Sequence, residues 1–277
     1  MDEAVYQKLT SEANTVRQLV LKMITEAGSG HTASCLGLSD LLTLLYFHVM
    51  NIKPAEPNWA DRDLFVMSNG HVAPLLYAVL ARRGFFPEQE LLSLRKLGSR
   101  LQGHPERELV PGLETTSGPL GSGLSQATGM AYYLKFLQPN LNRRVFCLMG
   151  DGELDEGNIW EAAMLAAKYK LDNLICFVDY NNIQLSGSTD DIMPLGDLSG
   201  KWSSFGWYVQ RVDGHNVIAI DQAIKTARES KGRPNMIILD TVAGKGVSFM
   251  EGDYHWHGKA PNKEELARAL KQIEEMK

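Results

Sequence analysis

Two stretches limit the fold more than anything else in the chain. Val145–Met149 (VFCLM) and Leu174–Val178 (LICFV) are unbroken apolar runs, and each stops abruptly in a polar, turn-forming cluster, Gly150-Asp151-Gly152 and Asp179-Tyr180-Asn181-Asn182. A strand with no polar alternation has both faces covered, which is the signature of a parallel sheet under helices. The segment between them, Glu156–Lys168, places Ile159, Ala162, Ala163, Leu165 and Ala166 on one helical face. Strand, helix, strand is therefore expected, with the polar clusters at the carboxyl ends, where open α/β sheets place their ligands.

The rest of the chain fits the same plan. Residues 3–27 read as a helix, with Leu9, Ala13, Val16, Val20, Met23 and Ala27 at helical spacing, stopped by Gly28-Ser29-Gly30. A second helix is expected over Gly37–Val49, a short buried strand at Leu64–Met67, a helix over Val72–Arg83 and a short one from Pro87. Residues 98–124 are rich in Gly, Pro, Ser and Thr without apolar period, and so form a long loop of the kind that usually carries function. A helix Ser125–Leu137 follows, then, beyond the central unit, strand Tyr208–Val212, helix Val217–Glu229, strand Met236–Thr241 and a last helix from Lys263. No repeat, low-complexity tract or linker interrupts this, so the expectation is one α/β domain over residues 1–277, a parallel sheet covered by helices on both faces.

Composition removes several function classes. At 277 residues and 44% hydrophobic the core is large enough to need no disulfide staples, and the three cysteines form no C-x-x-C pair, which suits a reducing compartment. A net charge of −5 with no basic cluster argues against nucleic acid or an anionic membrane as partner. The amphipathic, acidic start is not a secretory leader and no apolar run approaches a membrane span, so a cytoplasmic protein is expected.

If the two central strands are neighbours, Asp151 and Asn181 project near one another. A carboxylate, an amide oxygen and nearby backbone carbonyls make a hard oxygen set, suited to Mg²⁺ with positions left for water and phosphate. Gly152 would let a phosphate approach the backbone closely. Taken alone, GDG after a strand is ordinarily just a turn. Gly244-Lys245-Gly246 lacks the further residues of a P-loop, Gly121-x-Gly123 lacks the third glycine of a dinucleotide fingerprint, and Tyr254-His255-Trp256-His257 has too few ligands nearby for zinc.

The pairing alters that balance. GDG followed after a helix and a buried strand by Asn181 resembles the thiamine-diphosphate signature, and the resemblance extends along nearly the whole chain. GSGH (28–31), SNGH (68–71), QGHPE (102–106), TTSGPLGSG (115–123), GDGELDEG (150–157), NNIQLSG (181–187) and HWHG (255–258) occur in the order seen in transketolases. The resemblance implies the diphosphate-binding domain of the thiamine-diphosphate-binding fold. It implies Asp151, Asn181 and the carbonyl of Ile183 as ligands of Mg²⁺, with Ca²⁺ or Mn²⁺ as alternatives. It implies His71, Gly118, Leu120, Gly152, Glu156, Asn181 and His257 against the cofactor, and His31, His104 and His257 as catalytic groups facing the substrate. Imidazoles suit a reaction that moves protons on and off sugar oxygens in both directions.

The implied activity is transfer of a two-carbon ketol unit from a ketose phosphate to an aldose phosphate. In the family the activating glutamate, and most of the grip on the acceptor's phosphate, come from a second domain across the interface between protomers. The resemblance here covers only the first domain, which implies either a naturally split enzyme, a two-plus-two heterotetramer with a separate C-terminal transketolase subunit, or a fragment of a longer chain. Leu36, Leu38, Leu120, Ile183, Leu185, Ile192, Met193 and Leu195 are candidates for the apolar walls of that interface, Leu38 being the one best explained by packing under its own loop. Thr32-Ala33-Ser34 stands where many transketolases have Pro-Gly, and Lys245 lies in a turn that many fill differently, which bears on donor and acceptor preference. A deoxyxylulose-phosphate-synthase-like subunit and a non-catalytic cofactor-binding paralogue are the other readings.

Overall fold

A strand covered on both sides sends alternate residues into two separate cores, so both sets must be apolar. The computed structural model describes residues 1–276 and is built on this rule. In chain order it contains α1 (Glu3–Ala27), α2 (Thr32–Gly37), α3 (Ser39–Leu44), β1 (Leu64–Met67), α4 (Ala73–Arg82), α5 (Ser122–Leu137), β2 (Val145–Gly150), α6 (Gly157–Lys168) and β3 (Leu174–Tyr180). There follow β4 (Ile183–Gln184), β5 (Gly187–Ser188), α7 (Thr189–Ile192), α8 (Leu198–Ser204), β6 (Tyr208–Asp213), α9 (Val217–Glu229), β7 (Asn235–Asp240) and α10 (Lys263–Glu274). Five strands form one parallel sheet in the order β1-β2-β3-β7-β6.

The alternation is plain in the two layers. Phe65, Phe146, Leu148, Ile175, Phe177, Ile237 and Leu239 face a core shared with α1, α3, α4 and α9. Val66, Val145, Cys147, Met149, Cys176, Val178 and Ile238 face a second core under α5, α6 and α8. Cys147 and Cys176 are register partners across β2 and β3, and both are fully buried. A third, smaller core gathers Leu21, Leu36, Val247, Trp256, Ala269 and Ile273, and it fixes the segment after β7 against α1 and α10.

The helix expected over Gly37–Val49 is a correction. Helical structure begins earlier, at Thr32, and bends at Leu38 (φ −93°, ψ 0°) before resuming as α3 and ending in a turn of π-helix at Leu45–Val49. The hydrogen-bond ladder survives the bend, since Leu38 N–H donates to Ser34 O (3.1 Å) and Leu42 N–H to Leu38 O (3.1 Å). Crowding accompanies the bend: a Cβ at Gly37 would stand 2.9 Å from the carbonyl oxygen of Val242. The helix placed at Ser125 starts at Ser122, directly after Gly121 in the left-handed conformation. The β4–β5 hairpin and helices α7 and α8 were not anticipated; each is too short to show a period.

Candidate functional site

The register of β2 and β3 pairs Gly150 with Asp179, so the two polar clusters leave the sheet side by side. The Asp151 carboxylate accepts from the backbone N–H of Gly152 (2.8 Å) and of Asn182 (2.7 Å), which clamps the two strand ends together. Asn181 is held in one orientation: its Nδ2 donates to Asp179 (2.8 Å), and its Oδ1 accepts from the Ile183 N–H (2.9 Å), leaving the second lone pair free. Thr241 completes the coordination of Asp179 through its hydroxyl.

These clusters form one wall of a cavity of about 380 Å³, whose lining includes His31, Asn69, His71, His104, Gly118, Leu120, Asp151, Gly152, Glu153, Asn181, Ile183, Leu185 and His257. Residues far apart in sequence converge there: Asp151 and Asn181 from the ends of β2 and β3, His71 from the turn after β1, His31 from just before α2, and His104 and His257 from longer loops. Gly70 makes one such convergence possible, since a Cβ there would lie 2.8 Å from the Cβ of Ser117. Thr32 makes another, donating its hydroxyl to Lys259 O (2.7 Å), so the loop of His31 and the segment of His257 meet. The imidazoles of His31, His71 and His257 form a cluster with ring centroids 4.7, 5.4 and 5.5 Å apart.

Burial governs the electrostatics. It pushes the Asp151 carboxyl up to about 7, helped by the neighbouring Asp179, which itself rises to about 6. Burial and the neighbouring imidazoles lower His31 to about 4 and His71 to about 3, and burial lowers His257 and His104 as well. Near neutral pH His31 and His71 are therefore uncharged, each able to donate from one nitrogen and accept at the other. No Lys or Arg is among the lining residues, so the carboxylates have no counter-charge there.

Glu153 is the group that sequence reasoning missed. It is buried, and its Oε1 accepts from the Ser68 hydroxyl and from the Gly121 N–H (2.5 Å) while its Oε2 accepts from the Gly150 N–H (3.1 Å). One carboxylate thus ties the ends of β1 and β2 to the start of α5. Glu156, expected against the cofactor, is exposed at the N-terminal boundary of α6 and does not line the cavity; the first inward-facing carboxylate after GDG is Glu153. Asn69 was also missed, although SNGH contained it. His255 turns outward onto Asp253 (2.7 Å), so only the second histidine of HWHG enters the cavity.

The matching family model is "Transketolase, thiamine diphosphate binding domain", over residues 9–276. The chain belongs to this family. The 6-deoxy-6-sulfo-D-fructose transketolase subunit SqwG of Clostridium sp. is 42% identical, over 96% of each chain. One of the subunits of the apulose-4-phosphate transketolase of Phocaeicola vulgatus is 38% identical over 97% of this chain and 94% of that protein. Human transketolase is 39% identical over 98% of this chain, which spans only 43% of that longer protein. The solved transketolase of Campylobacter jejuni superposes with a TM-score of 0.92 at 34% identity, covering 99% of this chain and 43% of that one. The chain is thus a transketolase-family enzyme subunit with a thiamine-diphosphate-binding domain, and its nearly full-length relatives include named transketolase subunits.

The transketolase cavity fits such a cofactor on its own observations. The Nδ1 atoms of His31 and His257 and the Oδ1 of Asn69 are buried without partners. The two buried carboxylates Asp151 and Asp179 lie at the end where a divalent cation would relieve their mutual repulsion. No group of three or more His, Cys, Asp and Glu able to hold a metal exists among the described residues. Of the apolar wall residues, Leu36, Leu38, Ile183 and Leu195 are buried, whereas Leu120 (39%), Leu185 (69%), Ile192 (46%) and Met193 (55%) are exposed. No helix of the described residues is long and apolar enough to cross a membrane.

Proposed function

We propose that this chain is the diphosphate- and metal-binding subunit of a split transketolase, moving a two-carbon ketol unit between anionic sugars in the cytoplasm, as in the pentose phosphate pathway. Asp151, Asn181 and the carbonyl of Ile183 would hold Mg²⁺, and His71, Gly118, Leu120, Gly152 and His257 would hold thiamine diphosphate; Glu156 lies outside the lining, at the start of α6. The cofactor, when bound, supplies the nucleophilic carbon that carries the two-carbon unit. The chain's own part is positioning and proton handling. His31, His104 and His257 accept from or donate to the hydroxyl and carbonyl oxygens of the sugar, and burial, by lowering the proton affinity of all three, favours the neutral form that can do either. The names of two relatives, a sulfo-fructose and an apulose-phosphate transketolase subunit, support substrates that carry a sulfonate or phosphate.

The observation that carries the reading is the convergence of Asp151, Asn181 and the three-histidine cluster on one cavity at the carboxyl end of the sheet. A partner chain is part of the reading: nearly full-length relatives are named as subunits, and the activating glutamate that the resemblance implies belongs to a second domain that would close this cavity. The exposed Leu120, Leu185, Ile192 and Met193 beside it are the apolar surface such a partner would cover, in a two-plus-two assembly. In the test, the purified chain shows no ketol transfer with thiamine diphosphate and Mg²⁺, and adding its cognate second subunit restores transfer and gives, by light scattering, a mass near twice the summed pair. Full turnover by the chain alone would overturn the reading; an active one-to-one complex would overturn the assembly.

A further inference from the structure

Arg95 stands in an unusual place. It is one of few non-glycine residues in the left-handed region (φ 59°), its backbone held by a hydrogen bond from its N–H to Leu101 O (2.9 Å). A residue stays there only when its surroundings over-determine it, and such positions gather at functional sites. Its guanidinium donates to the hydroxyl of Ser29 (3.3 Å) and approaches Gly103 O (3.5 Å), both neutral acceptors at long range. It lies flat on Gly103, where a Cβ would come within 3.0 Å of its Nε. Ser29 sits just before His31, and Gly103 immediately before His104, so the guanidinium spans the two loops that bring these histidines to the cavity.

The charge of this arginine is not neutralised. Its neighbours are paired, Lys96 with Glu26 (2.7 Å) and Arg100 with Glu90 (2.8 Å), whereas no carboxylate lies within 4.0 Å of Arg95 among the described residues. Its field is felt inside: it is among the causes that lower both His31 and His104. The cavity itself is lined by three carboxylates and no cationic side chain, and Arg95 stands just outside that lining, against the loops of His31 and His104.

We propose that Arg95, with Ser29 beside it, is an anion subsite at the mouth of the cavity, receiving the tetrahedral oxyanion, phosphate or sulfonate, at the far end of the sugar chain. The proposal rests on the reading above that the substrates are anionic sugars. It adds a contact from this chain to whatever grip the second subunit provides. A guanidinium offers a fork of donors that matches such an oxyanion, and the weak hydrogen bonds it now makes are easily exchanged for charge-assisted ones.

Imidazole NMR signals of the full chain, titrated with fructose 6-phosphate, 6-deoxy-6-sulfofructose and fructose, read the subsite directly. The two anionic sugars should move the His31 and His104 signals and fructose should not, while a difference between the two shows which oxyanion is preferred. Arg95→Ala should weaken the fructose 6-phosphate titration about 10- to 100-fold, the effect of losing a charged hydrogen-bonding partner, and Arg95→Lys should keep part of the affinity. Arg95→Gln keeps a polar, hydrogen-bonding arm but loses the charge, so it should fall with Arg95→Ala if charge is what binds. Unchanged affinity in Arg95→Ala or Arg95→Gln, an equal response to fructose, or no response from the native chain overturns the subsite. Ketol transfer by the assembled pair is measured separately, so a failure of the function and a failure of the subsite are told apart.

Discussion

The middle of the sheet and its carboxyl-end rim are made by the same strands under opposite rules. From Val145 to Met149 and from Leu174 to Val178 every side chain is fully buried among apolar neighbours. A few residues further on, the same two strands deliver Asp151 and Asp179, buried carboxylates close enough for one to raise the other. The strand interior lowers the free energy of the fold at every position. The rim stores unsatisfied groups and awaits a ligand that will satisfy them. Stability and function are thereby separated along each strand and not between domains.

Four substitutions would break or sharpen that contrast. The largest effect belongs to the interior: Phe177→Ala removes a fully buried ring between the sheet and its helices and should cost about 3–5 kcal/mol in chemical denaturation. At the rim, Asp151→Asn should cost the free chain far less than the interior change, because removing a disfavoured buried charge offsets turning an amide N–H toward one of the two backbone donors that the carboxylate now satisfies. It should also abolish the stabilisation by Mg²⁺ and thiamine diphosphate in the assembled enzyme, which for the native protein reaches about 2.7 kcal/mol at a hundredfold excess over Kd. A rim substitution that destabilised the free chain as much as the interior one would erase the distinction.

Glu153 lies between the two regimes, a buried charge that is fully hydrogen-bonded. Glu153→Gln turns an amide N–H toward one of the donors it now satisfies and should cost about 1–3 kcal/mol, with cofactor affinity falling alongside. The smallest effect is a pH slope. The folded-state value of His71, about 3, lies below the ordinary 6.5, so between these limits the unfolded chain holds a proton that the folded chain does not. Stability therefore falls as pH drops below about 6.5, by roughly 1 kcal/mol from this residue at pH 5.5. His71→Asn should flatten that part of a thermal-unfolding profile; a slope identical in the native protein and the variant would show that folding does not change the proton affinity of His71.

What the sequence disclosed follows from the same contrast. Strands β2, β3 and β7 were legible because a buried interior must be apolar without interruption, and α1 because its apolar residues keep a helical period over many turns. That Asp151 and Asn181 line one cavity was legible because strand ends place them there. Glu153 was not, since its role depends on Ser68 and Gly121, partners distant in sequence that only the assembled sheet brings to it. The bend at Leu38 escaped for a like reason, Val242 lying far along the chain from Gly37. Leu36, Ile183 and Leu195, expected at an interface, proved buried because apolar residues in a loop serve its own packing as readily as a partner's.

The three cysteines, free and buried, turn this architecture into a clock. Cys147 and Cys176 lie within the sheet, whereas Cys35 sits in α2 behind the loop of His31. A thiol reagent added to the native protein reaches each sulfur only when its own region opens. Labelling of Cys35 ahead of the other two would time the breathing of the rim, and the pair in the sheet would be modified together, at the rate at which the whole molecule comes apart.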